Sequence, residues 1–153
     1  MAAKVIAIAS DHAGVETKAA LKDDIAAAGL CVTDLGTHGP DSVDYPDFAD
    51  ALTEEIRAGR AERGILVCGT GIGMSIAANR KPFIRAALCH SATEARLARE
   101  HNNANVLVVG ARTMGIETVR DCLKAFLETA FEVGRHQRRV DKISCSRSCQ
   151  GLI

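Results

Sequence analysis

Residues 65–75 read Ile-Leu-Val-Cys-Gly-Thr-Gly-Ile-Gly-Met-Ser, an aliphatic run that ends in a cysteine and is followed by alternating glycines. A short aliphatic run bounded by glycine predicts a buried strand, and the residues from Met74 onward favour a helix. Cys68 is therefore expected at the carboxyl end of a strand. In open α/β sheets ligands bind at that edge, where unpaired N–H groups can hold an anion and favour a thiolate. The alternative is a small apolar residue that merely ends a strand, and the glycine run favours the chemical role.

Four further apolar runs indicate strands, and helical patterns separate them. Strands are predicted at 5–9, 30–32, 64–68, 84–89 and 105–109, and helices at 15–28, 46–58, 75–80, 92–101 and 115–130. Strands that alternate with helices predict right-handed βαβ units and a parallel sheet covered on both faces. The expected fold class is α/β, a three-layer α/β/α sandwich with a five-stranded parallel sheet.

Length and composition limit the classes of protein that fit. At 153 residues the chain is expected to form one domain, residues 1–153, with a basic C-terminal arm from about residue 134. Nineteen basic residues balance nineteen acidic ones, so no nucleic-acid or membrane partner is expected. The absence of a long apolar run and of a signal-like start predicts a cytoplasmic location. Six cysteines without a CxxC pair argue against a zinc motif, although Cys145 and Cys149 could form a disulfide in air.

Polar residues follow several of the predicted strands. Asp11-His12 comes after the first strand, Asp44-Tyr45 closes the loop after the second, and Arg112 follows the fifth. Because parallel strands share one polarity, these side chains can converge on one crevice. His101 precedes the fifth strand, so it reaches the same crevice only from a turn or from a partner subunit. A helix cap for Asp11 and a helix-end position for His101 are the alternatives.

The basic arm contains Arg135 and Arg139, four residues apart. On a helix they share one face and could clamp a dianion, although a solvated basic face explains the same pattern. No phosphate-loop motif occurs, and the first predicted turn lacks a dinucleotide fingerprint, so no nicotinamide cofactor is expected. A thiol hydrolase is an alternative for Cys68, but it leaves the arginines without a role.

Six short motifs follow one another along the chain. They are Ala9-Ser10-Asp11-His12-Ala13-Gly14, Asp44-Tyr45-Pro46, Cys68-Gly69-Thr70-Gly71-Ile72-Gly73, Arg99-Glu100-His101-Asn102, Gly110-Ala111-Arg112 and Gly134-Arg135-His136-Gln137-Arg138-Arg139-Val140. In this order, over about residues 4–143, the chain resembles the type B ribose-5-phosphate isomerases of the ribose/galactose isomerase family. The tail from Ser144 onward matches no motif and is assigned no function.

The resemblance implies a Rossmann-like fold and a homodimer or dimer of dimers. It also implies a metal-free, cofactor-free interconversion of ribose 5-phosphate and ribulose 5-phosphate in the pentose phosphate pathway. It assigns the proton-abstracting base to Cys68 and the ring-opening acid to His101. In another branch of the family a Glu acts as base where this chain has Met74. The predicted substrate-binding residues are Asp11, His12, Asp44, Tyr45, Gly69, Gly71, Ile72, Gly73, Ser75, Asn102, Arg112, Arg135 and Arg139.

The chemistry of an aldose–ketose isomerisation fits these residues on independent grounds. A proton must move between two carbons, another between two oxygens, and the enediolate charge must be stabilised. Cys68, the Thr70 hydroxyl and the loop amides can supply these three needs, and His101 can open the furanose ring. The alternatives are a hexose-6-phosphate isomerase acting on allose or galactose 6-phosphate, and a non-catalytic protein that binds sugar phosphates or nucleotides.

Overall fold

A parallel sheet of five strands forms the centre of the fold, and the computed structural model describes the protein over residues 4–144. The strands are β1 (Val5–Ser10), β2 (Cys31–Asp34), β3 (Arg63–Cys68), β4 (Ala86–Leu88) and β5 (Val106–Gly110). The helices are α1 (Val15–Ala27), α2 (Tyr45–Arg57), α3 (Ile72–Ala78), α4 (Ala92–Asn102), α5 (Ile116–Glu128) and α6 (Gly134–Ser144), with a 3₁₀ turn at His12–Gly14. The strand order is β2-β1-β3-β5-β4, with every pair parallel.

Two apolar cores, one on each face of the sheet, explain why the central strands are apolar at nearly every position, with Ser10 and Arg63 at strand ends as the polar exceptions. Ile65 and Val67 of β3 lie in the core formed with α1, α4 and α5. Leu66 and Cys68 lie in the other core, with residues of α2 and α3. This arrangement confirms the predicted three-layer α/β sandwich and places the Cys68 side chain on the α2 and α3 face.

The element bounds differ from the sequence prediction at β4 and α3. β4 begins at Ala86 instead of Ile84, because the Arg85 N–H donates to the Asn105 side chain rather than to a neighbouring strand. α3 begins at Ile72 instead of Ser75, because Gly71 adopts a φ of 78° and caps the helix directly after the strand. None of the helices within residues 4–144 is long and apolar enough to cross a membrane.

Two arginines, the buried Arg99 and the partly buried Arg63, fix the path of the chain from α5 to α6. The Arg63 guanidinium donates to the Phe126 and Leu127 carbonyl oxygens at 2.8 and 3.2 Å, and the Arg99 Nε donates to the Thr129 carbonyl at 3.3 Å. Both guanidinium carbons lie 5.7 Å from the centroid of the Phe126 ring. Burial, and to a smaller extent the nearby Arg63, lowers the pKa of Arg99 to about 10. These contacts satisfy the last carbonyls of α5 and direct the chain across the amino edge of the sheet.

The α6 helix lies along that amino edge. Its first turn contacts α4, where the His136 and His101 rings stack with centroids 4.3 Å apart. At its other end, the Ser144 hydroxyl accepts a hydrogen bond from Arg85, the residue before β4, at 3.2 Å. The arm predicted from residue 134 is therefore a helix over its described part. Cys145 and Cys149, for which a disulfide was considered, lie outside the described residues.

Candidate active site

The loop after β3 holds the cysteine in a polarised environment. Cys68 is 4% exposed, and its Sγ accepts a hydrogen bond from the Gly71 N–H at 3.2 Å. Gly71 must be glycine, since its φ is positive and a Cβ would lie 2.5 Å from a Leu88 methyl carbon. An N–H that points at sulfur stabilises the thiolate, which is the form able to accept a proton.

Loops from three neighbouring strands meet at this edge of the sheet. The Asp11 N–H donates to the Val67 carbonyl at 3.2 Å, and the Arg112 N–H donates to the Gly69 carbonyl at 2.9 Å. The Arg112 side chain lies over Gly69, where a Cβ would be 3.5 Å from its Cδ. The strand order changes direction between β1 and β3, which is where ligands bind in open α/β sheets. The predicted convergence of Asp11, Cys68 and Arg112 is therefore present in the structure.

Several side chains in this region are engaged in local hydrogen bonds. The Asp11 carboxylate accepts from the Ala13 N–H at 2.9 Å, which is the helix-cap role considered from the sequence. The Thr70 hydroxyl accepts from the Ile72 N–H at 3.2 Å, and the Ser75 hydroxyl donates to the Ile72 carbonyl at 2.8 Å. Thr70 is exposed on the loop, so its hydroxyl can face a ligand while it accepts this bond.

Tyr45 covers the first turn of α3. A Cβ on Gly73 would lie 2.5 Å from the Tyr45 Cζ, so the aromatic ring rests directly on the glycine backbone. The neighbouring Asp44 precedes α2 and is exposed, and its side chain makes no capping hydrogen bond. Tyr45, which is 40% exposed, therefore lies beside the glycine loop, while the sugar contacts of Asp44 and Tyr45 stay predictions.

A cavity of about 380 Å³ opens beside the glycine loop and is lined by His12, His38 and Arg112, among others. The His12 Nδ1 accepts a hydrogen bond from the Val43 N–H at 3.3 Å, so the neutral ring carries its proton on Nε2. Two imidazoles and a guanidinium can all donate hydrogen bonds to an anion. His38 is not among the residues predicted from the sequence, although its place shortly after a strand end was the available signal.

Asp34 anchors the loop that carries His38. Burial alone would raise the pKa of Asp34, but hydrogen bonds from Lys18, Lys22 and the Gly36 N–H outweigh it and lower the pKa to about 2. The Lys18 side chain is only 3% exposed, and the Lys22 Nζ lies 2.7 Å from the carboxylate. Asp34 is therefore ionised at neutral pH. Through its hydrogen bond from the Gly36 N–H it anchors the start of the loop whose His38 lines the cavity.

Another group of predicted site residues lies at the opposite edge of the sheet. His101 and Asn102 end α4, just before β5 begins, while Arg135 and Arg139 are exposed on α6. Cys68 pairs in register with Gly110, the last residue of β5. At ~3.3 Å per residue the five residues of β5 span about 16 Å. One copy of the chain therefore does not bring His101 to Cys68, which excludes the route by a turn within the same copy.

The remaining buried thiols contrast with Cys68. Burial raises the pKa of Cys89 to about 12 and the pKa of Cys122 to about 11. Both thiols lie in the core against α4 and α5, away from the crevice. Among the four cysteines of the described part of the chain, Cys68 is the one placed for chemistry.

Comparison with known proteins gives consistent matches along the whole described chain. The model of the ribose/galactose isomerase family matches residues 6–143. A solved ribose 5-phosphate isomerase structure from Thermotoga maritima is 51% identical, with a TM-score of 0.90, and the match covers 92% of this chain and 97% of that one. The ribose-5-phosphate isomerase B of Escherichia coli is 40% identical over 92% of this chain and 95% of its own length. A D-erythrulose-4-phosphate isomerase of Pectobacterium atrosepticum is 43% identical over 90% of this chain and 91% of its own length.

Proposed function

Because this chain belongs to the ribose/galactose isomerase family, a family of sugar-phosphate aldose–ketose isomerases, we propose that it interconverts D-ribose 5-phosphate and D-ribulose 5-phosphate. The observation that carries the proposal is the Cys68 thiol at the strand end, with the Gly71 N–H donating to its sulfur. We place the reaction in the cytoplasm and in the pentose phosphate pathway, since these two pentose phosphates are interconverted there. Neither a metal nor an organic cofactor takes part in the proposed reaction.

In the proposed reaction Cys68 acts as the base at carbon. Its thiolate removes the C2 proton of the open-chain aldose, and the electron pair forms the enediolate. The exposed Thr70 hydroxyl moves a proton between the oxygens on C1 and C2, while N–H groups of the loop stabilise the negative charge. The Cys68 thiol then returns its proton to C1 and yields the ketose. The proton taken from C2 is returned at C1, so the reaction regenerates the Cys68 thiolate with which it began.

The separation of the two groups of site residues supports a site shared between two copies of the chain. In the proposed two-fold dimer, the carboxyl edge of the sheet in one copy faces the amino edge of the sheet in the other copy. Two-fold symmetry then forms two equivalent sites. Large apolar side chains beside both edges are more than half exposed, as expected for surfaces that a second copy covers. They are Ile72, Ile76, Val133 and Ile143, with exposures of 53%, 60%, 53% and 56%. A homodimer is the minimal unit of this proposal, and a dimer of dimers adds nothing that the site requires.

Within that dimer each site receives an acid and a phosphate clamp. His101 of the partner subunit protonates the ring oxygen as the C1–O bond breaks, and the anomeric hydroxyl releases its proton to solvent, which leaves the open-chain aldehyde. Asn102 of the partner subunit contacts the sugar. Arg112 binds the phosphate together with Arg135 and Arg139 of the partner subunit, which share one face of α6. Asp11, His12, Asp44, Tyr45, Ser75 and the 69–73 loop complete the proposed sugar contacts. Binding energy from the phosphate then positions the reacting carbons against Cys68.

A direct isomerisation assay tests this function. Ribose 5-phosphate, allose 6-phosphate, galactose 6-phosphate and erythrulose 4-phosphate are offered to the purified protein and to its Cys68→Ser variant. The proposal expects the highest kcat/KM on ribose 5-phosphate, and at least a tenfold loss in the variant, about 1.4 kcal/mol of barrier. A higher kcat/KM on another sugar phosphate would identify that compound as the substrate instead. Binding of all four compounds without turnover would identify a non-catalytic binding protein.

The four-carbon substrate is included for a specific reason. The Pectobacterium relative named for erythrulose 4-phosphate is 43% identical, slightly more than the E. coli ribose-5-phosphate isomerase B. Overall identity therefore does not separate the two substrates, whereas the assay does.

A further inference from the structure

Two histidines and a glutamate lie together at the amino edge of the sheet. His101 belongs to the last turn of α4, Glu132 to the connection between α5 and α6, and His136 to the first turn of α6. One ligand atom from each residue lies within 4.8 Å of the other two. Two imidazole nitrogens and a carboxylate oxygen form a donor set that suits zinc and other divalent transition metals. These residues form no recognisable metal-binding motif in the sequence. The connection after α5 brings Glu132 and His136 next to His101 only in the folded protein.

His136 supplies a second and independent observation. Its side chain is 5% exposed, and its Nε2 is buried with no hydrogen-bond partner in residues 4–144. The Glu132 carboxylate is 3.6 Å from this nitrogen, which is too far for a hydrogen bond. Buried polar atoms are almost always paired with a hydrogen-bond partner or a ligand. An unpaired imidazole nitrogen beside two further potential metal ligands therefore indicates a binding site.

The backbone around the cluster already holds the three residues in place. The Glu132 N–H donates to the Glu100 carbonyl at 3.1 Å, and the His136 N–H donates to the Val133 carbonyl at 2.9 Å. A metal held at about 2.0–2.1 Å by each ligand requires the three atoms to approach one another more closely than they do. The side chains of His101 and Glu132 are partly or fully exposed and can rotate inward, while burial fixes His136. Arg135 repels a cation here, and the Glu132 carboxylate offsets that repulsion.

We propose that His101, Glu132 and His136 bind a divalent transition-metal ion such as Zn²⁺, and that the bound ion inhibits the enzyme. The inhibitory part rests on the proposed function, in which His101 opens the sugar ring. A metal that occupies the imidazole lone pair removes that acid–base group from the reaction.

Cobalt binding to the full chain tests the site without any measurement of activity. The site should take one Co²⁺ per chain and produce visible absorption without the thiolate-to-cobalt band that binding at a cysteine would add. Glu132→Gln and His136→Gln should each weaken Co²⁺ binding by about 10- to 100-fold. Glu132 is exposed, so its variant tests the site even if the His136 variant folds poorly. His90→Gln is the matched control, since His90 lies 4.0 Å from Glu94 on the surface and no third ligand joins this pair within residues 4–144.

Inhibition is then measured with Zn²⁺ in the isomerase assay. Zn²⁺ should inhibit the unaltered protein and the His90→Gln variant, and a chelator should restore the rate. Glu132→Gln should keep the basal rate, and both Glu132→Gln and His136→Gln should need about tenfold more Zn²⁺ for inhibition relative to their own uninhibited rates. Equal Co²⁺ binding in all variants, or a thiolate band, would overturn the metal site. Metal binding that depends on Glu132 in a protein without isomerase activity would instead retain the site and reject the proposed function.

Discussion

Mixing two inactive variants tests whether the active site is built from two copies of the chain. Cys68→Ser removes the proposed base at one edge of the sheet, and His101→Asn removes the proposed acid at the other. The strand between these edges is five residues long, which is about 16 Å and far beyond hydrogen-bond reach. In a mixed dimer one site carries both changes, and the other site carries neither.

The expected recovery follows from this geometry. Equal amounts of the two variants, unfolded and refolded together, give heterodimers in half of the dimers, and each heterodimer has one intact site of two. The mixture should therefore regain about a quarter of the unaltered activity, measured as conversion of ribose 5-phosphate. Cys68→Ser mixed with Arg112→Ala is the control, because both changes affect the same edge and no intact site forms. Recovery in the control, or no recovery with His101→Asn, would refute the shared site.

Three further predictions concern the phosphate clamp, the cavity wall and the crevice entrance. Arg139→Ala should lower kcat/KM on ribose 5-phosphate by about 10- to 100-fold with little change in melting temperature, since a charge-assisted bond contributes about 1.5–3 kcal/mol. An equal loss on unphosphorylated ribose would argue against the clamp. Asp34→Asn should cost about 3 kcal/mol of unfolding free energy at neutral pH, because buried Lys18 loses its counter-charge. The pKa of Asp34 is lowered to about 2, so its stabilisation is complete above about pH 4 and is lost as the pH falls through that lower value. Denaturant titrations should therefore show the two proteins converging near pH 2, and a pH-independent difference would contradict this role. Gly73→Ala should displace Tyr45, whose Cζ would lie 2.5 Å from the new Cβ, and raise KM several-fold with less than about 1 kcal/mol change in stability. An unchanged KM would show that Tyr45 does not border the substrate.

Most strand and helix bounds follow closely from local sequence: α1, α2 and α4 lie within one residue of the prediction, whereas the starts of β4 and α3 differ by two and three residues. β3 and β5 lie within one residue of the predicted runs, because buried parallel strands are uniformly apolar and glycine bounds them. The glycine run misled the prediction for α3, since Gly73 belongs to the helix and not to the loop. Its presence there is explained by the Tyr45 ring, a contact from another element that local propensity does not encode.

The residues of the candidate site also fall into those whose positions follow from local sequence and those whose positions do not. Asp11, Cys68 and Arg112 follow strand ends, and the shared polarity of parallel strands was enough to bring them together. The placement of Arg139 at the opposite edge depends on α6, whose position is set by long-range contacts of two partly or fully buried arginines with the end of α5. No spacing in the sequence signals those contacts. The six motifs nevertheless predicted the family correctly, because a family is recognised from residue types in their order along the chain. That recognition does not require the positions of the residues in space.

Deuterium incorporation from solvent tests the central claim, that Cys68 moves a proton between two carbons of a sugar phosphate. Ribose 5-phosphate is incubated with the protein in D₂O, and the products are followed by NMR at C1 and C2. Proton abstraction by a thiol that exchanges with solvent predicts deuterium at C1 of ribulose 5-phosphate and, over many turnovers, at C2 of ribose 5-phosphate. In the Cys68→Ser variant both turnover and incorporation should fall together. Turnover without deuterium in either sugar, or undiminished incorporation in the variant, would contradict the account.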